Sequence, residues 1–395
     1  MALKISNEQL APDDTDRFAR FRLIGWWDQT RLANAKILVV GAGALGNEII
    51  KNLALLGIGN LLVLDLDRIE NSNLSRSVLY RTSDNGRNKA ETAARAAVSL
   101  YPDMKVHFIN GNMLHDVGMG VFHWADLVIG GLDNREARLA INRHCYRLGK
   151  PWIDGAIEQI QGVARVFVPD GPCYECTMSE TDWKILQKRK SCNLLTRDEM
   201  EGGKTPTTPT ISSIIAGVQC QEAVKLLHGL PSLAGKGWHF QGSTCEAWTV
   251  DYQRKEDCYS HDPLESVVSI DAGIEQLTAA DLLANARSIM GSKATLEFAR
   301  DMVEKLVCPG CGFEEYVYCA LTQVRPSQAG CPHCDQARRE VVTFFQIKGD
   351  ESFINRTLHA LGVPPFDIVI GRTCDRAIGL KLSGDADAVL GPVAR

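Results

Sequence analysis

The stretch AKILVVGAGALGNEIIKNLALLGIGNLLVLDLD changes its hydrophobic period twice. ILVV is a continuous apolar run of strand length, NEIIKNLALL spaces its apolar residues as one face of a helix, and LLVL is a second run that ends in acids. Strand, glycine turn, helix and strand in that order open a doubly wound α/β sheet. The alternation continues with a helix in GRNKAETAARAAVSLYP, strands in KVHFI and ADLVIGG, a helix in REARLAINRHCYRLGK, and strands in PWIDGAI and GVARVFVP. Such regular alternation predicts a mostly parallel sheet covered on both faces.

From 170 to 210 the pattern breaks, and the Gly and Pro of EGGKTPTTPT exclude regular structure there. ISSIIAGVQCQEAVKLLHG resumes as a helix, with Thr210 the expected N-cap and Gly229 the expected stop. GWHFQG and EAWTVDYQ alternate like an antiparallel pair. Past His261 the pattern predicts a helical stretch running from ADLLANARSIMG to FARDMVEKL, then a second group of cysteines. The strand-like VVTFFQIKG, a helix-like ESFINRTLHALG and the strands DIVIGR and IGLKLSG follow.

With 395 residues the chain is too long for one ordinary domain. Its 43 basic and 48 acidic residues are interspersed, for a net charge of −5, so no long-range field points to a nucleic acid or a membrane surface. The N-terminal segment lacks an apolar core of signal-peptide length, and the longest apolar runs are strand-sized, so a cytoplasmic protein is expected. In that compartment thirteen cysteines read as metal ligands or a catalytic thiol before disulfides. Seven of them fall in C-x-x-C or C-x-x-H pairs: Cys173 and Cys176, Cys258 with His261, Cys308 and Cys311, Cys331 and Cys334.

GAGALG, with Gly41, Gly43 and Gly46, lies between strand and helix, where backbone N–H groups and the positive helix end can face a phosphate. Asp65 ends the next strand, where a carboxylate can accept ribose hydroxyls. On these features alone a nicotinamide dehydrogenase and an ATP enzyme stand level. Asn73 and Arg76 follow the acidic strand end and Lys89 opens the next helix. Two cations converging on a nucleotide suit a triphosphate with a reacting α-phosphate, which hydride transfer does not need. Asp133, in GGLDN at another strand's C-terminal end, suits Mg²⁺ bridging phosphates.

These motifs, in this order, resemble the ubiquitin-activating enzymes and their bacterial relatives, the adenylyltransferases of the molybdopterin and thiamine pathways, over roughly residues 15 to 262. RFAR resembles the family's arginine motif, which implies that Arg20 reaches the γ-phosphate across a homodimer interface. GAGALG, DLD with NLSR, GRNKAE and LDN resemble the nucleotide loop, the ribose and phosphate segment, the lysine segment and the Mg²⁺ aspartate. CYEC resembles the first half of a structural zinc site, which implies that Cys173, Cys176 and Cys258 bind Zn²⁺ with His261 in place of a fourth cysteine. Arg17 and Arg22 are expected to be solvated, and Asp67 to do no more than cap the strand end. CPGC and CPHC, separated by 19 residues, match a self-contained zinc ribbon of Cys308, Cys311, Cys331 and Cys334, with Cys319 and His333 pointing away.

Within this resemblance the catalytic cysteine follows the first C-x-x-C and precedes a Thr/Pro-rich segment and a helix. Cys192 has that order, sixteen residues after Cys176, and Lys188, Arg189 and Lys190 beside it favour the thiolate. Cys145, Cys220 and Cys245 sit in regular patterns and are expected to be buried. The expected division is an N-terminal arm (1–34), an ATP-binding adenylation domain (35–262) that includes a cysteine loop (177–210), a helical linker (263–305), the ribbon (306–345) and a small α+β segment (346–395). The implied function is ATP-dependent activation of a ubiquitin-like protein ending in glycine, as in bacterial operon-encoded enzymes, with a thioester on Cys192 passed to a conjugating enzyme. A sulfur-carrier adenylyltransferase stopping at the acyl-adenylate, and an inactive scaffold binding its partner through the ribbon, remain open on sequence.

Overall fold

A computed structural model describes residues 16–184, 206–334 and 338–395. Eight strands form the first sheet in the order β3-β2-β1-β4-β5-β6-β7-β8. β1 (Lys36–Val40), β2 (Asn60–Leu64), β3 (Lys105–Ile109), β4 (Leu127–Gly130) and β5 (Trp152–Glu158) pair in parallel. β6 (Gln161–Phe167), β7 (Lys236–Gln241) and β8 (Glu246–Asp251) extend the sheet antiparallel. The strand order reverses between β1 and β4, which places the ligand crevice of a doubly wound sheet at the ends of those two strands.

Both faces are covered, which explains the unbroken apolar runs. Ile37, Val39, Leu61 and Val63 pack beneath α1 (Gln29–Asn34), α2 (Ala44–Leu56), α3 (Lys89–Leu100) and α6 (Pro209–His228). Their neighbours Leu38, Val40, Leu62 and Leu64 face α4 (Met119–Trp124) and α5 (Arg135–Arg147). Asn88 and Asn134 cap α3 and α5 through Glu91 N–H and Ala137 N–H. α6 begins two residues before the position expected from sequence: Thr208, not Thr210, accepts from Ile211 N–H, and Pro209 occupies the first turn. Gly229 ends it with φ +70°.

The second half differs more from expectation. The proposed helical linker contains β9 (Ser266–Ile270), α7 (Ala279–Met290) and then β10 (Thr295–Val307), so FARDMVEKL lies in a strand. Gly291, at φ +98°, stops α7, and Leu296 and Phe298 then bury alternately, a period of two. In ESFINRTLHALG only His359–Leu361 forms a helical turn, because Phe353, Leu358 and Leu361 turn into the core and Thr357 bridges Thr278. The second sheet has the order β11-β10-β13-β14-β9, with β12 also on β10. Here β11 is Glu314–Ala320, β12 Glu340–Ile347, β13 Ile368–Arg372 and β14 Ala377–Leu382. The ribbon is therefore not self-contained: β10 runs from its cysteine knuckle into the sheet shared with β13.

The two sheets are docked. Met119 N–H donates to Asp367 Oδ1 (2.6 Å) and Gly120 N–H to Phe366 O (3.1 Å) at the start of α4. Arg300 reaches Asp367 (3.2 Å), and Arg147 on α5 meets Asp262 (3.4 Å) and Glu297 (3.3 Å), which Arg372 also contacts. The C-terminal residues Leu390 and Val393 join the core of the first sheet, and Trp124 Nε1 donates to Val393 O (3.0 Å). A Cβ on Gly120 would lie 2.2 Å from Phe366 O, whereas one on Gly25 meets nothing within 4 Å. Gly120→Ala is expected to cost about 1–3 kcal/mol through overpacking. Thermal unfolding should show a lowered Tm for Gly120→Ala and an unchanged one for Gly25→Ala.

Candidate nucleotide site and cysteine clusters

The loop after β1 is built on glycine contacts. Gly41 has φ +96°, and a Cβ there would lie 2.5 Å from Gly131 O. One on Gly46 would lie 1.9 Å from Gly41 O, and one on Gly131 would lie 2.9 Å from Gly46 N. Backbone thus packs on backbone where β1 and β4 end, and Gly131, which the sequence did not single out, is a full partner. Gly43 is different: it caps α2, and a Cβ on it would meet nothing.

Buried side chains hold the loop's carbonyls from behind. Asn47 Nδ2 donates to the carbonyls of Ala42 (2.7 Å) and Gly43 (3.0 Å) while its Oδ1 accepts from Leu79 N–H. Tyr80 Oη donates to Ala42 O (2.6 Å) and lies 3.2 Å from Lys89 O. With these carbonyls held, the amides at the N-terminus of α2, which have no helical partner, are left for an anion. Neither Asn47 nor Tyr80 carried a motif signal.

Asp65 is more structural than expected. Its Oδ2 accepts from Ala42 N–H and its Oδ1 from Asp67 N–H, both at 2.7 Å, so it ties β2 to the glycine loop. Burial pushes its carboxyl above the usual range, against the pull of Lys89 and the two amides. Asp67 does more than cap the strand, because Lys89 Nζ pairs with its Oδ2 at 2.9 Å and Lys89 N–H donates to its carbonyl. Asn73 Oδ1 accepts from Glu70 N–H, and Arg76 Nη1 donates to Ser72 O (2.8 Å), its other guanidinium nitrogens having no partner among the described residues. Tyr80 links this segment, the loop and Lys89.

Asp133 is exposed just beyond β4, and one of its oxygens accepts from Asn134 Nδ2 at 3.3 Å. Its other oxygen has no hydrogen-bond partner among the described residues, and a single exposed carboxylate of this kind could hold Mg²⁺. Arg20 is exposed, and its side chain has no partner among the described residues. Arg17 is not simply solvated: it donates to Leu100 O (2.6 Å) and lies over the Tyr101 ring, while Arg22 pairs with Asp16. Cys192, with Lys188, Arg189 and Lys190, lies outside the described residues.

The cysteine pairs gather into two clusters, each with its four ligand atoms within 4.8 Å of one another. In the first, Cys173 Sγ lies 3.7 Å from Cys176 Sγ and 3.6 Å from Cys258 Sγ, and Cys176 Sγ lies 3.4 Å from His261 Nε2. In the second, Cys308 and Cys334 are 3.5 Å apart, and Cys311 and Cys331 3.6 Å. Ligands about 2.3 Å from a tetrahedral zinc lie about 3.8 Å from one another, close to these values. Glu175 and Ser260, one from each arm of the first cluster, hydrogen-bond each other, and Tyr146 stacks on His261 at 4.6 Å. The His333 ring packs against Phe313, tilted by 32°, instead of joining the second cluster. Cys145 and Cys220 are buried as expected, but Cys245 is exposed in the β7–β8 turn at φ +56°.

Residues 15–260 match the ThiF family. The chain belongs to that family. The SAMP-activating enzyme E1 of Haloferax volcanii is 33% identical over 273 residues, covering 65% of this chain and 91% of the archaeal protein. The adenylyltransferase and sulfurtransferase MOCS3 of Drosophila grimshawi is 30% identical over 258 residues, but this ThiF-family chain spans only 55% of its length. Among solved structures, E. coli MccB with ATP has a TM-score of 0.54 at 24% identity, covering 65% of this chain and 77% of MccB, a likeness of fold. Among the described residues no helix is long and apolar enough to cross a membrane.

Two measurements test these sites. Gly43→Ala is expected to cost about 1 kcal/mol or less of stability, yet to weaken ATP binding at least about tenfold by calorimetry, because the added methyl enters open space facing the amides. Metal analysis should find about two zinc ions per chain, falling to about one in His261→Ala, whose ribbon is untouched. Two ions retained in that variant would remove His261 from the ligand set.

Proposed function

We propose that this ThiF-family protein is an ATP-dependent activating enzyme for a ubiquitin-like protein with a C-terminal glycine. The observation that carries the reading is the grouping, at the β1/β4 crevice, of a glycine loop with free helical amides, Lys89 held by Asp67, and the exposed Asp133. The glycine carboxylate attacks the α-phosphorus of ATP, the bond to the leaving pyrophosphate breaks, and an acyl-adenylate forms. Charge growing on the phosphate oxygens is balanced by Arg76 and Lys89 and by Arg20 of a second subunit in a homodimer. Mg²⁺ on Asp133 would neutralise the pyrophosphate oxygens.

The second step belongs to Cys192. Its thiolate attacks the acyl carbonyl, AMP leaves, and the thioester passes to the cysteine of a conjugating enzyme. The described residues on either side of this segment support the reading, since both touch the crevice rim. Asp182 pairs with Arg135, two residues past Asp133, at 2.6 Å, and Pro206 O accepts from Gln159 N–H at the end of β5 (2.7 Å). The kinship with the SAMP-activating enzyme supports a protein substrate. A sulfur-carrier adenylyltransferase is the second reading, favoured by the 35% identity over 173 residues to the sulfur carrier protein adenylyltransferase of Thermus thermophilus.

Incubation with ATP and the cognate small protein, followed by non-reducing electrophoresis, separates the two readings. A thiol-sensitive adduct is expected in the wild type and absent from Cys192→Ala, with ATP–pyrophosphate exchange retained in both. A thiol-sensitive adduct persisting in Cys192→Ala would overturn the role of Cys192. Exchange without any adduct would leave the sulfur-carrier reading.

A further inference from the structure

Behind Asp133 lies a buried charge cluster that the nucleotide motifs do not include. Asp154 on β5 is fully buried, and its Oδ1 accepts from Arg138 Nε at 2.9 Å while its Oδ2 accepts from Arg165 Nε at 2.8 Å. Burial alone would raise the Asp154 carboxyl, but Arg165 and Arg138 outweigh it and hold it below the usual range. Arg165 is itself packed over the ring of buried Tyr174 in the first cysteine knuckle, 5.2 Å from its centroid. Two guanidinium groups on one carboxylate place a net positive charge in the interior, an expensive arrangement that weighs against a role in stability alone.

What Arg138 does with its remaining donors points to that further role. Its Nη2 donates to the carbonyls of Leu132 (2.5 Å) and Gly155 (3.1 Å), at the C-terminal end of β4 and within β5. Two residues earlier, buried Gln219 on α6 donates to Gly130 O at 2.9 Å, and Gly155 leaves room for it, since a Cβ there would lie 2.5 Å from Gln219 Oε1. On the other side Asn134 is fixed as the cap of α5. The peptide is thus pinned at 130, 132 and 134, and Asp133 is the residue left projecting between them.

We propose that Arg138, oriented by Asp154 and Arg165, is a positioning residue that sets the Asp133 carboxylate for the divalent cation accompanying ATP. The inference rests on the reading of Asp133 as the metal-bridging carboxylate. Arg138 spends Nε and Nη2 on Asp154 and the carbonyls of Leu132 and Gly155, and it acts on Asp133 through the Leu132 carbonyl. Outer partners of metal ligands, when altered, commonly lower metal affinity by about 10–100-fold. A lysine at 138 keeps the charge beside Asp154 but lacks the planar fork that reaches a carboxylate and two carbonyls together.

The test is calorimetric binding of a non-hydrolysable ATP analogue across a Mg²⁺ series, with Tm measured on the same samples. For Arg138→Lys the Mg²⁺ concentration at half-maximal effect is expected to rise about tenfold while metal-free analogue binding stays unchanged. Arg165→Lys, which leaves Arg138 in place but loosens Asp154, should shift it in the same direction, and it serves as the test if Arg138→Lys does not fold. An equal loss with and without Mg²⁺, or no shift at an unchanged Tm, would overturn the proposal. Asp133→Asn separates the two levels. If it keeps the full Mg²⁺ effect, the metal role of Asp133 falls and the inference with it; if it loses the effect while both arginine variants keep it, the inference alone falls.

Discussion

The contact on which the rest of the crevice depends is backbone against backbone. Gly41, Gly46 and Gly131 leave no space for a Cβ between the turn after β1, the first turn of α2 and the end of β4. A side chain at any of them would push the helix away from the strand end and take the orphan amides out of line with whatever anion they face. Gly43, by contrast, is free of packing demands. A Cβ there would enter open space, so packing places no demand on it.

Around this contact the protein also fixes a series of backbone carbonyls. Asn47 and Tyr80 bind those of Ala42 and Gly43, Gln219 binds that of Gly130, and Arg138 binds that of Leu132. Each bond turns one peptide so that a neighbouring amide or carboxylate faces the crevice, and each donor is buried, where water does not compete. In the proposed reaction the exposed groups, Arg76 and Asp133 among them, would need only modest side-chain ordering to meet the nucleotide.

The second sheet is part of the same body. Gly120 lets α4 touch the backbone at Phe366, the Arg147, Asp262, Glu297 and Arg372 cluster spans the joint, and Leu390 and Val393 finish the apolar face above Leu62 and Leu64. α4 is only six residues long, too short to cover that face alone, so the chain's last turns take the place of a longer helix. The first cysteine cluster sits near this joint, with Asp262 directly after His261.

The parallel strands, their helices, the glycine loop and both cysteine sets were legible in the sequence, because period, turn residues and ligand spacing are local signals. FARDMVEKL was misread because a helical and an alternating pattern overlap in so short a stretch, and pairing with β11, β12 and β13 decides between them. Likewise the capping choice between Thr208 and Thr210 turned on one hydrogen bond that two similar residues could offer. Asn47, Tyr80, Gly131, Arg138 and Asp154 carry no motif, since their roles lie in partners distant along the chain. Local sequence settles which chemical groups this protein has and which elements carry them. Which of those groups are paired, pinned or left free follows from the folded arrangement, because it depends on which distant backbone each side chain meets on burial.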